Sequence, residues 1–192
     1  MTFLPTELIS ELSSSSPASP EVSVPSEVEC EVIMLFGQLR DPVVRYVLSF
    51  GLSVHDSEEV TQEVFLALFG HLQKGKSRRN LRGWIFRVAH NLALKRRSTN
   101  QRSQDQLDSD RRIAENQLDS SPDPEEQMLS AQRQRRLMAV VNVLPEEDQC
   151  CLRLRAEGLR YREIARVVGI SLGAVSISLT RSLGRLICAD KR

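Results

Sequence analysis

Apolar residues in this chain recur at three- and four-residue spacing and nowhere alternate over the length of a strand, so the pattern predicts helices throughout. Over 28–50, Val32, Leu35, Phe36 and Leu39 share one face, and Val43, Val44, Val47 and Leu48 follow. Pro42 lies between the two groups and predicts a break or a kink, and Gly51 ends the segment. A second helix starts at Asp56, the expected N-cap, with Glu59 three residues on as in a capping box. Val60, Val64, Ala67, Leu68 and Leu72 form its apolar stripe, widened by Phe65 and Phe69. Glu59, Gln62, Glu63 and Leu66 take the other side. A third helix runs from about 81 to 97, with Phe86, Val88, Ala89 and Leu92 as its core face.

Over 98–123 no apolar periodicity survives, and Gln, Asn, Ser and Asp dominate, which reads as a flexible linker. Asp123 is placed to cap a helix whose first residue is Pro124. That helix, to about 143, is expected to bury Met128, Leu129, Leu137, Met138, Val140 and Val141. Pro145 opens the next, with Glu146, Glu147 and Asp148 in its first turn and Cys151, Leu152 and Leu154 facing inward; Gly158 ends it.

The sharpest local pattern is 159–186. Ile164, Ala165, Val167 and Val168 face inward on a short helix, with Arg162, Glu163 and Arg166 outside. Gly169 supplies the turn, Ile170 plugs the corner, and Ser171 is placed to cap the following helix. There Leu172, Val175, Leu179, Leu183 and Leu186 form one stripe. Small Ala165, turning Gly169 and sealing Val175 make the helix-turn-helix pattern, whose second helix enters the DNA major groove. An ordinary helical hairpin fits the same spacing. The expected fold class is all-α: a tail over 1–26, a helical domain over 27–98, a linker over 99–123, and a second helical domain over 124–192 containing the helix-turn-helix.

Composition changes the picture in one respect. The 192-residue chain has a formal net charge of +1, but the charge is segregated. Between Glu63 and Asp105 there is no acidic residue, while Lys74, Lys76, Arg78, Arg79, Arg82, Arg87, Lys95, Arg96, Arg97 and Arg102 all lie there. Such a block calls for an anion, and a phosphate backbone is the usual one. Trp84, the only tryptophan, sits inside it, where a ring can stack on an unpaired base. The opposite side of the second helix, with Glu59 and Glu63, is either a solvated face or a docking surface for a basic partner helix.

Other chemistry is excluded. Cys30, Cys150, Cys151 and Cys188 have no metal-ligand spacing, so no metal or cofactor is expected, and the thiols read as inert. His55, His71 and His90 have no nucleophile partner, so no catalytic residue is expected. No apolar run is long enough to span a bilayer, and no signal peptide opens the chain; a reducing, cytoplasmic compartment follows. The Ser- and Pro-rich tail over 1–26 has the composition of a disordered leader.

Two blocks together resemble a known family. DSEEVTQEVFLALFGHL with NLRGWIFRVAHNLALKRR is similar to the second conserved region of bacterial sigma-70 factors, and DPEEQ…LP…EGLRYREIARVVGISLGAV to the fourth. The linker stands where larger members carry a middle domain, as in the extracytoplasmic-function (ECF) group. The resemblance implies a factor that binds core RNA polymerase, recognises promoter DNA as duplex and as melted strand, and is itself no enzyme. An anti-sigma factor is a further candidate partner. Asp56, Glu59, Gln62, Glu63 and Phe65 match the polymerase-binding helix. Lys74, Lys76, Arg78, Arg79, Asn80, Trp84, Arg87, Asn91 and Arg96 match the loop and helix that read and melt the −10 element. Arg160, Arg162, Ser171, Gly173, Ala174, Ser176, Ile177, Ser178, Arg181 and Arg185 match the −35 reader.

The departures concern that reader. Many members carry Lys and Arg where Ser176 and Ser178 stand, and Ser where Arg160 stands; Lys95 replaces a common Asp. A hydroxyl reads bases ambiguously, whereas Arg grips guanine with two hydrogen bonds. Weak or unusual −35 binding follows. The alternatives are a free-standing helix-turn-helix regulator and a sigma-like interaction protein with a weakened −35 reader. A nuclease built on Glu59 and Glu63 lacks a third ligand.

Overall fold

The computed structural model describes residues 26–105 and 124–190, with side chains for 26–102 and 132–190. Among them are seven helices and no strand: α1 Glu27–Leu48, α2 Val54–Gln73, α3 Leu81–Asp105, α4 Pro124–Asn142, α5 Glu146–Ala156, α6 Tyr161–Val168 and α7 Leu172–Asp190. The tail, and the linker over 106–123 with its Asp123 cap, lie outside the described residues.

α1–α3 form one helical unit. Ser26 caps α1 with a full capping box, its hydroxyl accepting from Glu29 N–H while the Glu29 carboxylate accepts from Ser26 N–H. Of the break or kink expected at Pro42 there is no break: the proline lies inside α1. Leu39, Val43, Tyr46 and Val47 are buried on either side of it, and packing of that face outweighs one lost backbone hydrogen bond. The first half of α1 is different: Ile33, Met34 and Phe36 are exposed.

α2 begins a turn earlier than its acidic residues suggest. Ser53 is the N-cap, its hydroxyl accepting from Asp56 N–H at 3.0 Å, so Asp56 is not the cap. The buried stripe is Ser57, Val60, Thr61, Val64, Phe65, Leu68 and Leu72, while Ala67 is exposed. α3 starts at Asn80, whose side chain accepts from Gly83 N–H and whose φ is 56°. A Cβ at Gly83 would fall 2.5 Å from Asn80 Nδ2, so the glycine makes room for that cap. The helix runs two turns past its expected end at 97, to Asp105, and Asn100 there donates to Asp56 at 3.1 Å.

The second unit is α4–α7. Val141 is buried, Leu137 and Val140 half-buried, and Met138 exposed, against expectation; the Met128 and Leu129 side chains lie outside those described. α5 buries Asp148 and Cys150 as well as Cys151 and Leu154. Gly169 ends α6 at φ 82°, left-handed as expected, and its N–H and that of Ile170 both donate to Ala165 C=O. Ser171 caps α7, accepting from Ala174 N–H at 3.1 Å. α7 has the length and hydropathy of a membrane span by composition, which the sequence reading did not anticipate. It also carries Arg181 and Arg185 and packs on α4, α5 and α6 through Val175, Ser178, Leu179 and Ser182, while Leu172, Ile177, Leu183 and Ile187 stay exposed.

The two units touch. α6 packs on α3, and one cluster of buried apolar side chains runs from α1–α3 into α5–α7.

Candidate functional site

On α2 the acidic residues are not a free carboxylate face. Arg96, from α3, reaches across to donate to Asp56 at 3.1 Å, Glu59 at 2.8 Å and Glu63 at 3.3 Å. Hydrogen bonds from Ser53 and Asn100, with Arg96 beside it, hold the Asp56 carboxyl below the usual carboxylate range. Three carboxylates against one guanidinium keep the patch acidic. The same geometry commits three of the five Arg96 N–H donors, both on Nη1 and one on Nη2, to α2 rather than to the −10 face. Of the polymerase-binding candidates, Gln62 is exposed and Phe65 is buried, packed edge-on against Phe36 with ring centroids 4.9 Å apart.

Next to this patch, sequence reasoning missed an apolar groove. Val32, Ile33, Phe36, Gln62, Phe65, Leu66 and Phe69 line about 380 Å³ between α1 and α2. Leu66 is 70% exposed and Ile33 64%. The signal was present: a leucine on the polar side of α2 has no business there unless something covers it.

The basic block forms a platform at the start of α3 and in the loop before it. Lys74, Lys76, Arg79, Asn80, Arg87 and Asn91 are exposed. Arg78 is tied to Glu27 at 2.9 Å and Glu31 at 3.4 Å on α1. Phe86 is fully buried, a core residue as its neighbours suggested. Trp84 is half-buried, its ring 4.7 Å from that of His71, and it shares a cleft of about 150 Å³ with Arg79, Asn80 and Arg87. Trp84 thus packs against the core and also borders a cleft shared by Arg79, Arg87, Arg166 and Glu163, and a ring so placed is able to stack an unpaired base.

In the second unit, Arg160, Arg162, Gly173 and Ser176 border one cleft of about 690 Å³, joined by Tyr161 and Arg166, which sequence reasoning left out. Ile177 and Arg185 are exposed nearby on α7, and Ala174 is half-buried. Two residues of the expected −35 set have partners within the protein. Ser178 is 2% exposed, turned into the packing of α7 on α5; it is corrected from the surface to the core, because the buried stripe runs through Val175, Ser178, Leu179 and Ser182 while Leu172 and Leu183 stay exposed. Arg181, itself half exposed, makes a two-pronged pair with buried Asp148, Nη2 donating to Oδ1 at 2.8 Å and Nε to Oδ2 at 3.1 Å, and so fastens α7 to α5. At Arg160 the missing hydroxyl cap is half replaced: Glu163 accepts from Arg160 N–H at 2.7 Å, but the guanidinium has nothing with which to accept in return.

The remaining histidine is structural. The Tyr46 hydroxyl lies 2.8 Å from His90 Nδ1 in the core. Burial holds His90 below its usual range and pushes Tyr46 far up. The tyrosine therefore keeps its proton and the imidazole stays neutral, and the two share one buried hydrogen bond. Among the described residues no group of three or more His, Cys, Asp or Glu is placed to hold a metal.

These surfaces can be set beside known proteins. Residues 35–103 match the family model described as Sigma-70 region 2, and residues 134–186 match that described as Sigma-70, region 4. The ECF RNA polymerase sigma factor SigE of Mycolicibacterium smegmatis is 31% identical over 156 residues, covering 79% of this chain and 58% of that protein. The ECF RNA polymerase sigma-E factor of Escherichia coli K12 is 29% identical over 146 residues, covering 73% of this chain and 74% of that one. The chain thus spans less than two-thirds of the first relative. Among solved structures, the sigma factor RpoE of Bartonella quintana, in complex with the anti-sigma factor NepR, shares the fold, with a TM-score of 0.58 at 14% identity over 84% of this chain and 97% of that one. With both conserved regions present in order on that helical fold, the chain belongs to the extracytoplasmic-function group of the sigma-70 family.

Proposed function

We propose that the protein binds core RNA polymerase and directs it to promoters, reading and melting the −10 element with the first unit and reading the −35 element as duplex with the second. The observation that carries this is the pairing of an acid-free cationic platform around Trp84 with a separate helix-turn-helix in one chain. A duplex-only binder has no use for the platform, and a single-strand binder has none for the helix-turn-helix. Polymerase docking falls to the acidic patch and the adjoining groove, where Gln62, Leu66 and Ile33 offer exposed area. No chemistry is asked of the protein itself; polymerase forms the phosphodiester bonds. Work on chromosomal DNA with polymerase puts it in the bacterial cytoplasm, and an anti-sigma factor is a candidate regulator.

A second reading keeps polymerase binding and weakens the −35 reader. The burial of Ser178 and the pairing of Arg181 with Asp148 favour it, since both engage residues of the expected −35 set within the protein. Run-off transcription with core polymerase, with and without the protein, tests the proposal. Specific transcripts in its presence support it. Core binding without initiation supports the second reading, and no binding to core removes both.

A further inference from the structure

We propose that His71, in the last turn of α2, is a positioning residue for the −10 platform: it ties the basic loop over 74–80 to the Trp84 ring before any DNA arrives. The inference rests on the reading of that loop and of Trp84 made above, and names the group that holds the two together. Neither the charge pattern nor the matched −10 set gave His71 a role.

The side chain has two attachments. Nε2 lies 3.0 Å from Ser77 C=O, in the middle of the loop. A carbonyl oxygen only accepts, so Nε2 carries a proton and donates it. The imidazole also packs on Trp84, with ring centroids 4.7 Å apart and planes inclined by 43°. That separation lies in the range where aromatic rings attract beyond the area they bury. Trp84 belongs to the first turn of α3. One side chain on α2 therefore reaches both the loop and the ring that follows the loop.

The backbone around it keeps the loop folded by other means. Lys76 N–H donates to His71 C=O at 3.3 Å, and Trp84 N–H donates to Asn80 C=O at 3.1 Å. Arg79 N–H donates to the Ser77 hydroxyl at 3.2 Å. Arg78 is paired with Glu27 on α1. Loss of the imidazole leaves all of these in place and frees only the Ser77 carbonyl and the indole.

That freedom matters for an unpaired strand. Lys74, Lys76 and Arg79 are exposed and reach phosphates, but a base gains stacking energy only on a ring already in position. A ring or loop that must be ordered on binding lowers affinity by the entropy lost. With His71 in place the ordering is complete once the protein has folded.

The test uses the full chain, with its only tryptophan as reporter. His71→Ala removes both attachments. His71→Gln, a good helix former that keeps an N–H donor for Ser77 and loses the ring, serves if the alanine disturbs α2. Circular dichroism and thermal melting check folding. Acrylamide quenching reads the shielding of Trp84 in the free protein. A labelled single-stranded DNA oligonucleotide at low ionic strength reads strand affinity, and each variant is also made with Trp84→Ala. Both variants should raise the quenching constant. His71→Ala should weaken strand binding roughly fivefold, and His71→Gln less, because the loop stays tied. Once Trp84 is alanine, His71→Ala should cost nothing more, since the two residues act as one unit. Unchanged quenching in the folded variants overturns the proposal. So does a loss of equal size with and without Trp84, because His71 would then meet the strand itself. Failure of the platform reading looks different: Trp84→Ala alone then binds the strand as the wild type does, and quenching decides whether His71 holds the ring.

Discussion

Arg96 shows how a single side chain changes role between sequence and structure. Its place in a basic helix matches a DNA contact, yet it is spent on Asp56, Glu59 and Glu63. Arg96→Ala is expected to cost about 1 kcal/mol of stability, because three carboxylates then face one another, and to leave single-strand affinity almost unchanged. A normal melting temperature with a clear loss of affinity would return Arg96 to the DNA. His90 gives a pH prediction. Burial lowers its proton affinity in the folded state, so the unfolded chain, with an ordinary histidine near 6.5, binds the proton better. That stability is complete above about pH 6.5 and is lost as pH falls below it. Thermal denaturation between pH 7.5 and 5.5 should show the decline, and His90→Gln should flatten it while costing about 1 kcal/mol at neutral pH through the Tyr46 hydrogen bond. Gly169, Ser171 and Phe86 were legible in the sequence because turn, cap and core patterns are local. Ser178, Arg181 and Asp56 were not, because their partners lie on other helices.

At the scale of the helix, periodicity located all seven elements but misjudged faces and ends. At Pro42 the packing of Val43 and Val47 overrides a local signal, whereas past 97 α3 meets α2 through Asn100 on Asp56 while Ser98, Thr99, Gln101 and Arg102 stay exposed. α2 was assigned a charged docking face, whereas the structure adds an apolar one around Leu66. Reversing Glu59 and Glu63 would therefore test the Arg96 network as much as docking. Leu66→Glu is the cleaner probe: at 70% exposure it should leave stability within about 0.5 kcal/mol and weaken binding to core polymerase at least tenfold. Equal affinity in a folded variant would show that the groove is not part of the interface. On α6 and α7 the exposed cations are Arg162, Arg166, Arg181 and Arg185, beside Ser176 and Ile177. Arg162→Ala should lower the salt slope of log K for −35 duplex by about 0.9 and weaken all sequences alike. Ser176→Ala should cost less than the roughly 1–3 kcal/mol of a bidentate base contact. Loss of one base-pair preference in Ser176→Ala, with Arg162→Ala silent, would reverse those roles.

Across the whole molecule, the sequence revealed two units and their order, because each repeats a family pattern in its own block. It did not reveal their contact. Arg153 on Ser49 C=O and Arg45 on Glu157 join residues about a hundred positions apart, and no local spacing announces such pairs. Nor did it reveal that Glu146 and Glu163 meet the basic block, since the acid-free run seemed to require an external anion. The central claim, that the protein gives polymerase its promoter specificity, is tested most directly by mapping transcript 5′ ends. Genomic DNA from the source organism is transcribed in vitro by core polymerase alone and by core with this protein, and the ends are sequenced. The account predicts a discrete set of new starts, each preceded by a shared −10 sequence, with weaker agreement at −35. Starts that match those of core alone, in number and in position, would contradict it.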